Sequence, residues 1–360
     1  MHPRPPSPCE KANPLRLLAI TTIRNEAPFI LEWLAYHQHI GFTDFLIYSN
    51  DCDDGSDLLL DKLAERGLIT HERNHSKGKK SVQWRALTKA NRHKLKQAAD
   101  WIYVTDIDEF LCIHVGAGTV HDLIAARPDA DGFLLPWRMF GNNGVVQFQD
   151  QLIICQFTQA APDALLWPWR AVQFKSLYRN NDRYENLGVH RPQLASTEKS
   201  GTWFDGNGTS QTRTAKTVIT SRHARYDLAQ VNHYALGAME SFLVKAQRGK
   251  PNHSADPIDL TYWLERNFNE VPDRQILRHE QAVKDRIDAL MQDAQTAALH
   301  QAGVAWRKER IRALLKDSVY YDLFSRLMLL PPTKALAMEQ QVQILQTLST
   351  IHAAQRDKAP

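Results

Sequence analysis

Cysteine is scarce in this chain and is never paired at short range. Cys9, Cys52, Cys112 and Cys155 are the only four in 360 residues. No two stand in a CxxC pattern, which argues against a disulfide framework or a structural zinc site and for a reducing compartment. No run approaches the ~20 apolar residues that a membrane-spanning helix needs. The start, with Pro3, Pro5, Pro6 and Pro8, has no apolar stretch of the kind that makes a secretory leader. The expected location is therefore the cytoplasm, and the glycosylation triplets at Asn74, Asn207 and Asn252 carry no meaning. Charge of one sign is also in short supply. Lys and Arg number 44 against 40 Asp and Glu, a net +4. That is too little to argue for nucleic acid, and it suits an anionic small substrate such as a nucleotide diphosphate.

What is present is ordinary globular material, 43% hydrophobic and 23% charged, long enough for one large domain and an appendage. Residues 1–14 read as a flexible tail. Strand and helix patterns then alternate. Leu15 to Ile23 is an apolar strand, and Pro28 to Ile40 a helix with proline in its first turn. Phe45 to Tyr48 is a strand, followed by a helix from a Ser56 cap to Glu65 that Gly67 ends. Leu68 to Thr70 is a third strand, Val82 to Ala99 a third helix and Trp101 to Thr105 a fourth strand. This alternation predicts an α/β fold with a parallel sheet, whose ligands bind at the carboxyl ends of the strands. From Phe133 shorter strand-like runs follow, at Phe133 to Leu135, Leu152 to Phe157 and Val172 to Tyr178. The expected domain covers residues 15–255, and residues 256–360 form a helical C-terminal region. That region packs on the domain, builds an oligomer, or meets an acceptor or a membrane surface.

Two acidic clusters fall at predicted strand ends. In an extended segment alternate side chains point the same way, so the carboxylates of Asp106 and Asp108 converge while Ile107 turns to the core. Such a pair repels itself unless a hard divalent ion, Mg²⁺ or Mn²⁺, joins it. The bland alternative is an acidic turn after a strand. Asp51, Asp53 and Asp54, with Gly55, follow the second strand and offer acceptors to a nucleobase, or form a simple polar loop. Asn25-Glu26 follows the first strand and doubles as a helix cap. His233, in Asn232-His233-Tyr234, is a candidate third metal ligand or a packed histidine. Lys245 and Arg248 share one helix face, as a phosphate clamp or a solvated basic surface. His71-Glu72-Arg73-Asn74-His75 matches HExxH, but the zinc chemistry needs a helix. This segment follows a strand and runs into Ser76-Lys77-Gly78-Lys79-Lys80. Gly78-Lys79-Lys80-Ser81 lacks the upstream glycine of a phosphate loop, since residue 73 is Arg.

With these motifs in order, the sequence resembles family 2-like glycosyltransferases, and within them a bacterial branch related to family 92. The likeness is carried by Thr22-Ile23-Arg24-Asn25-Glu26, Leu31-Glu32-Trp33-Leu34-Ala35-Tyr36-His37, Gly41-Phe42, Tyr48-Ser49-Asn50-Asp51 and Asp54-Gly55-Ser56. It continues through Asp106-Ile107-Asp108-Glu109-Phe110-Leu111, Trp137-Arg138-Met139-Phe140-Gly141, Lys175, His190-Arg191-Pro192, His233-Tyr234, Phe242, Lys245 and Arg248-Gly249. Ala238 stands where the family often has serine. The resemblance implies a GT-A fold and transfer of a sugar from a nucleotide-diphosphate-sugar donor to a hydroxyl acceptor, with inversion, in bacterial surface or extracellular glycan synthesis. No nucleic acid is involved. The implied metal ligands are Asp106, Asp108 and His233, for Mn²⁺ or Mg²⁺. The donor contacts are Asn25, Glu26, Asp51, Asp54, Gln83, Arg85, Lys175, His190, Lys245 and Arg248. The catalytic carboxylates are Asp205 and Glu109, with Glu185 and Asp163 as rivals of Asp205 for the base.

Two other readings compete. A haloacid-dehalogenase-like phosphohydrolase also places DxD after an apolar strand and uses the first Asp as nucleophile, yet that motif opens its domain and here three strands precede it. A non-catalytic carbohydrate-binding or scaffold protein would use the aromatics of Trp167-Pro168-Trp169 to stack on sugars.

Overall fold

The computed structural model describes residues 14–75, 81–195, 201–211, 226–249 and 258–356. The proline-rich start and the basic run 76–80 lie outside the described residues. Strand β1 (Leu17–Ile23) leads through a short 3₁₀ turn at Ala27–Phe29 into α1 (Ile30–His39), then β2 (Asp44–Ser49), α2 (Ser56–Glu65) and β3 (Thr70–Arg73). The helix expected over Val82 to Ala99 is two, α3 (Val82–Ala90) and α4 (Lys94–Ala98). It breaks where Asn91 turns its side chain to the Glu185 carbonyl and the Leu187 N–H, at 3.1 Å each. Next come β4 (Trp101–Val104), β5 (Glu109–Ile113), α5 (Val120–Ala126) and β6 (Gly132–Met139).

Apart from the edge strand β3, which is Thr-His-Glu-Arg, these strands read as nearly continuous apolar runs because the parallel sheet is covered on both faces. Along β1, Leu17 and Ala19 join one core cluster with α1, while Leu18 and Ile20 join the other with Ala86, Leu87 and Ala90 of α3. Strands β3, β2, β1 and β4 lie side by side and parallel, in that order. Beyond β4 the sheet turns antiparallel through β8 (Phe174–Arg179) to β6.

The run Leu152 to Phe157, expected as a strand, is instead the short helix α6 (Ile153–Gln156). A six-residue apolar run has no period that separates the two states. Here the buried carboxylate of Glu32 decides, accepting the N–H groups of Ile153 at 2.8 Å and Ile154 at 3.1 Å. The rest of the second half holds β7 (Gln159–Ala160), β9 (Tyr184–Asn186), β10 (Gln193–Leu194), β11 (Trp203–Asp205), β12 (Ser210–Gln211) and β13 (Ala229–His233). Strand β13 lies between β5, antiparallel, and the end of β6, parallel.

After α7 (Met239–Arg248) come α8 (Leu260–Leu264), β14 (Val271–Pro272), α9 (Glu280–Met291), α10 (Ala294–Leu314), α11 (Ser318–Leu329) and α12 (Met338–Arg356). Helix α9 packs on α1, and α10 lies across α2 and the Ala27–Phe29 turn. Gly303 makes that approach possible, since a Cβ there would overlap Ala27. The α/β domain with a helical C-terminal extension is thus as expected. No helix among the described residues is long and apolar enough to cross a membrane.

Candidate active site

Polar side chains gather where the four parallel strands end. Asn25 follows β1, Asn50 and Asp51 follow β2, Asn74 and His75 follow β3, and Asp106 follows β4. The chain order reverses between β1 and β4, which is where such sheets open a ligand crevice. Asn25 holds a left-handed backbone (φ 55°), accepts the Asp53 N–H at 2.8 Å and donates to its carboxylate at 3.3 Å. Buried Asn74 donates to Asn50 Oδ1 at 2.7 Å. Asp51, also left-handed (φ 45°), stands half-exposed with His75 Nδ1 3.3 Å away, and Arg85 donates to the His75 carbonyl at 2.6 Å. Asp54 does not face this crevice. Its oxygens accept the N–H groups of Ala27 and Ser56, both at 2.9 Å, so it staples the loop. Ser56 is not the cap expected of it. Gly55, at φ 79°, takes that place, and the Ser56 hydroxyl accepts the Glu26 N–H.

The segment after β4 is a turn and not an extended strand. Glu109 N–H donates to the Asp106 carbonyl at 3.1 Å, and Asp106 N–H donates back to the Glu109 carboxylate at 2.9 Å. The turn gives each aspartate its own lysine. Asp106 accepts Lys175 Nζ at 2.9 Å and Gln83 Nε2 at 3.1 Å. Asp108 accepts Lys245 Nζ at 2.7 Å, and its other oxygen lies 3.8 Å from His233 Nε2. Ile107 does turn to the core. The expected three-ligand set therefore does not converge. Among the described residues no three His, Cys, Asp or Glu side chains are arranged around a cation position, and Asp108 with His233 is the pair brought together.

The charges are set by burial and by neighbours. Burial pushes the Asp108 carboxyl up, but Lys245, His233 and Arg248 outweigh it and hold the group well below the usual carboxylate range. Burial lowers His233 to about 3 against the pull of Asp108, so its imidazole is neutral. Glu109 is fully buried and pushed up to about 8 by desolvation, with Asp106 and Asp108 adding to the shift and Lys175 opposing it. It accepts Thr105 Oγ1 at 2.9 Å and lies 3.4 Å from Lys175 Nζ. Glu109 thus braces Lys175 from beneath.

Lys245 and Arg248 sit one turn apart near the end of α7. Arg248 donates to the Arg24 carbonyl at 2.5 Å and pairs with Glu26. A third cation arrives from α10. Arg307, buried, donates to the Asn25 carbonyl at 2.8 Å and Ser241 Oγ at 2.7 Å, with Glu26 3.5 Å away. Nothing in the local sequence marks it, since it is one basic residue in the basic stretch Arg307 to Arg312. Beside Asp108 opens a cavity of about 670 Å³, mouth included, walled by Lys245, Arg248, Arg307, Phe29 and Phe148.

His190 lies behind this group. Its Nδ1–H donates to the Phe174 carbonyl at 2.9 Å, and its ring meets Trp137 at 5.6 Å, which in turn packs on His233 at 4.4 Å. Asp205 is not brought in. It accepts the N–H groups of Asn207 and Thr209 at 3.0 Å and Gln211 Nε2 at 2.7 Å, holding its own hairpin. In register it stands at Leu134, whereas His233 stands at Met139, about 16 Å further along β6. Glu185 lies exposed on β9, and Asp163 pairs with Arg138. The HExxH match is β-structure. His71 Nδ1–H donates to Asp61 at 2.6 Å, far from any zinc geometry. Asp106 is no free nucleophile either, which counts against the phosphohydrolase. Trp169 is 41% exposed, with Arg170 over its ring.

A rice (Oryza sativa subsp. japonica) glycosyltransferase family 92 protein is 27% identical over 154 residues, 40% of this chain and 25% of the relative. One from Arabidopsis thaliana is 29% identical over 98 residues, 26% of this chain and 16% of the relative. The matches thus span a quarter or less of these relatives' own length. Among solved structures, S. aureus TarS 1–349 aligns over 86% of this chain and 92% of that chain, at 15% identity and a TM-score of 0.30. So low a score says nothing of activity. The profile of glycosyltransferase family 92 matches residues 18–255, which take in the strand-end collar, both aspartates, His233, Lys245 and Arg248, and the chain belongs to that family.

Proposed function

We propose that this chain moves a glycosyl group from a nucleotide-diphosphate-sugar donor to an acceptor hydroxyl, with inversion, in a GT-A type domain. The observation that carries the reading is the division of charge at the crevice. Asp51 and the collar of asparagines offer hydrogen-bond partners for a nucleoside, and Lys245 and Arg248 stand beside the cavity at Asp108 where a diphosphate would lie. In this reading the acceptor oxygen bonds to the anomeric carbon as the bond from that carbon to the diphosphate oxygen breaks. The hydroxyl proton passes to a general base during the attack. Lys245 and Arg248 neutralise the departing diphosphate, and Lys175 fixes Asp106 against the donor.

A Mn²⁺ or Mg²⁺ ion fits Asp108 and His233 as its protein ligands. The carboxylate is held ionised, the imidazole neutral, and the two atoms lie 3.8 Å apart. Such ions commonly take one or two side chains and fill the rest of their shell with phosphate oxygens and water. When bound, it supplies a positive charge to the leaving diphosphate.

The test is thermal unfolding of the full chain with UDP-, GDP-, ADP- and dTDP-sugars, with and without Mn²⁺. A matching donor with metal should raise stability by roughly 2.7 kcal/mol at a hundredfold excess over Kd. Asp108→Asn should fold, by circular dichroism, and lose that gain. The proposal fails if no donor shifts the wild type or if the variant responds equally.

A further inference from the structure

A second cleft opens on the face of β13 that turns away from Asp108. Side chains alternate along a strand, so Val231 and His233 face one side and Gln230 and Asn232 the other. Arg138 of β6 stands in register with Asn232 and shares that far side. Together with His114, just past β5, Gln230 and Arg138 floor a cleft of about 860 Å³, mouth included, rimmed by Asp163, Tyr226, Asp273 and Arg274.

Its wall is polar and built. Gln230 is 1% exposed, Arg138 3% and Asp273 7%. Gln230 Nε2 donates to Asp273 Oδ2 at 2.8 Å, and Arg138 donates to Asp163 and lies over the Tyr226 ring at 4.9 Å. Two groups remain unmet among the described residues. Arg138 Nε–H has no acceptor, and Asp273 Oδ2 lies 4.0 Å from it. The other is His114 Nε2. Because His114 Nδ1–H donates to the Tyr226 carbonyl, Nε2 is an acceptor, and it has no donor. Buried polar groups in native proteins are normally satisfied, so a donor and an acceptor left together beside a cleft point to a ligand that supplies both.

The charges narrow its class. Arg138 and Arg274 face Asp163, Asp227 and Asp273, so the cleft is nearly balanced and traps neither an anion nor a cation. A hydroxyl both donates and accepts, and neighbouring hydroxyls on a ring span the two oxygens of a carboxylate. We propose that this cleft binds a neutral saccharide, as a sugar site separate from the one at Asp108. The proposal does not depend on the transfer reaction.

The experiment is saturation-transfer NMR on the full chain with glucose, galactose, mannose, N-acetylglucosamine and their disaccharides, without nucleotide, and with inorganic phosphate, read by its ³¹P line width, as the anionic control. A saccharide should bind the wild type and Asp108→Asn alike. Binding should weaken at least tenfold in Arg138→Met and in Asp163→Asn, whose exposed carboxylate can be changed without disturbing the core. Should Arg138→Met not fold, Asp163→Asn decides alone. The proposal is overturned if no saccharide binds, if phosphate binds in its place, if Asp163→Asn binds like the wild type, or if Asp108→Asn abolishes binding. Failure of donor binding at Asp108 would leave these outcomes unchanged, so the two readings fail separately.

Discussion

Replacing Arg307 with methionine tests whether the C-terminal helices are part of the site. The guanidinium makes two hydrogen bonds, to the Asn25 carbonyl and Ser241 Oγ, and lies 4.6 Å from the Phe29 ring centre and 5.8 Å from that of Phe148. Hydrogen bonds from a charged donor contribute roughly 1.5–3 kcal/mol each, and ring contacts about 0.5–1 kcal/mol. Three things offset the loss. Burial already disfavours the Arg307 charge and draws its pKa down. Glu26 keeps Arg248, so no carboxylate is left bare, and methionine refills most of the apolar volume. The net cost is about 3 kcal/mol, or roughly 4 °C in Tm for a chain of this size. Urea unfolding reads the first quantity. Hydrogen exchange at residues 25–27 and 239–248 reads whether the strand-end loop loosens with it. A loss under ~1 kcal/mol, with exchange unchanged, would show that Arg307 merely decorates the interface.

Lys175→Met strands Glu109 and Asp106 and should cost about 3–5 kcal/mol at pH 9.5, where wild-type Glu109 is ionised beside the lysine. Because Glu109 is already raised to about 8 by burial, the native variant holds its proton and the deficit should shrink in urea unfolding at pH 5.5. An equal deficit at both pH values refutes this. His37 is buried, lowered to about 4 by desolvation against its bond to the Trp33 carbonyl. Neutral in the fold and protonated when unfolded, it costs stability as pH falls below 6.5, so His37→Phe should gain ~2 kcal/mol on wild type between pH 7.5 and 5. A pH-independent difference would contradict that. Ala238 caps α7 from the extended region without a side-chain bond. Ala238→Ser should add about 0.5–1 kcal/mol in thermal unfolding, and no gain would mean that the hydroxyl does not reach the helix N–H groups.

The first half of the fold was legible because Leu17–Ile23 and Asp44–Ser49 are apolar runs followed by helix starts, and Trp101–Val104 is a further apolar run. The place of the crevice was legible too, since acids and asparagines recur at those strand ends. What local pattern hides is decided by partners distant in sequence. Glu32 turned Leu152 to Phe157 into a helix. The Asp106–Glu109 hydrogen bonds closed a turn where alternation promised a strand, so two carboxylates expected to share one ion took two lysines. Asp205 was chosen for its place in the chain, and its hairpin holds it elsewhere. Arg307 lies 282 residues from the carbonyl it meets, and no spacing rule reaches that far.

The lysines change what a divalent ion would do here. Three carboxylates, Glu26, Asp106 and Asp108, face four cations, Lys175, Lys245, Arg248 and Arg307. Glu109, raised to about 8, adds little charge near neutral pH. The cluster is therefore slightly positive by itself, and a free dication gains little by entering it. A donor diphosphate brings more negative charge than this surplus cancels, and one dication restores the balance. On the proposed reading Lys245, which holds Asp108 Oδ2 at 2.7 Å, would turn to a phosphate, and Asp108 and His233 would be the residues to hold the metal. On the proposed reading, metal and nucleotide bind as a unit, each supplying the charge that makes the other welcome.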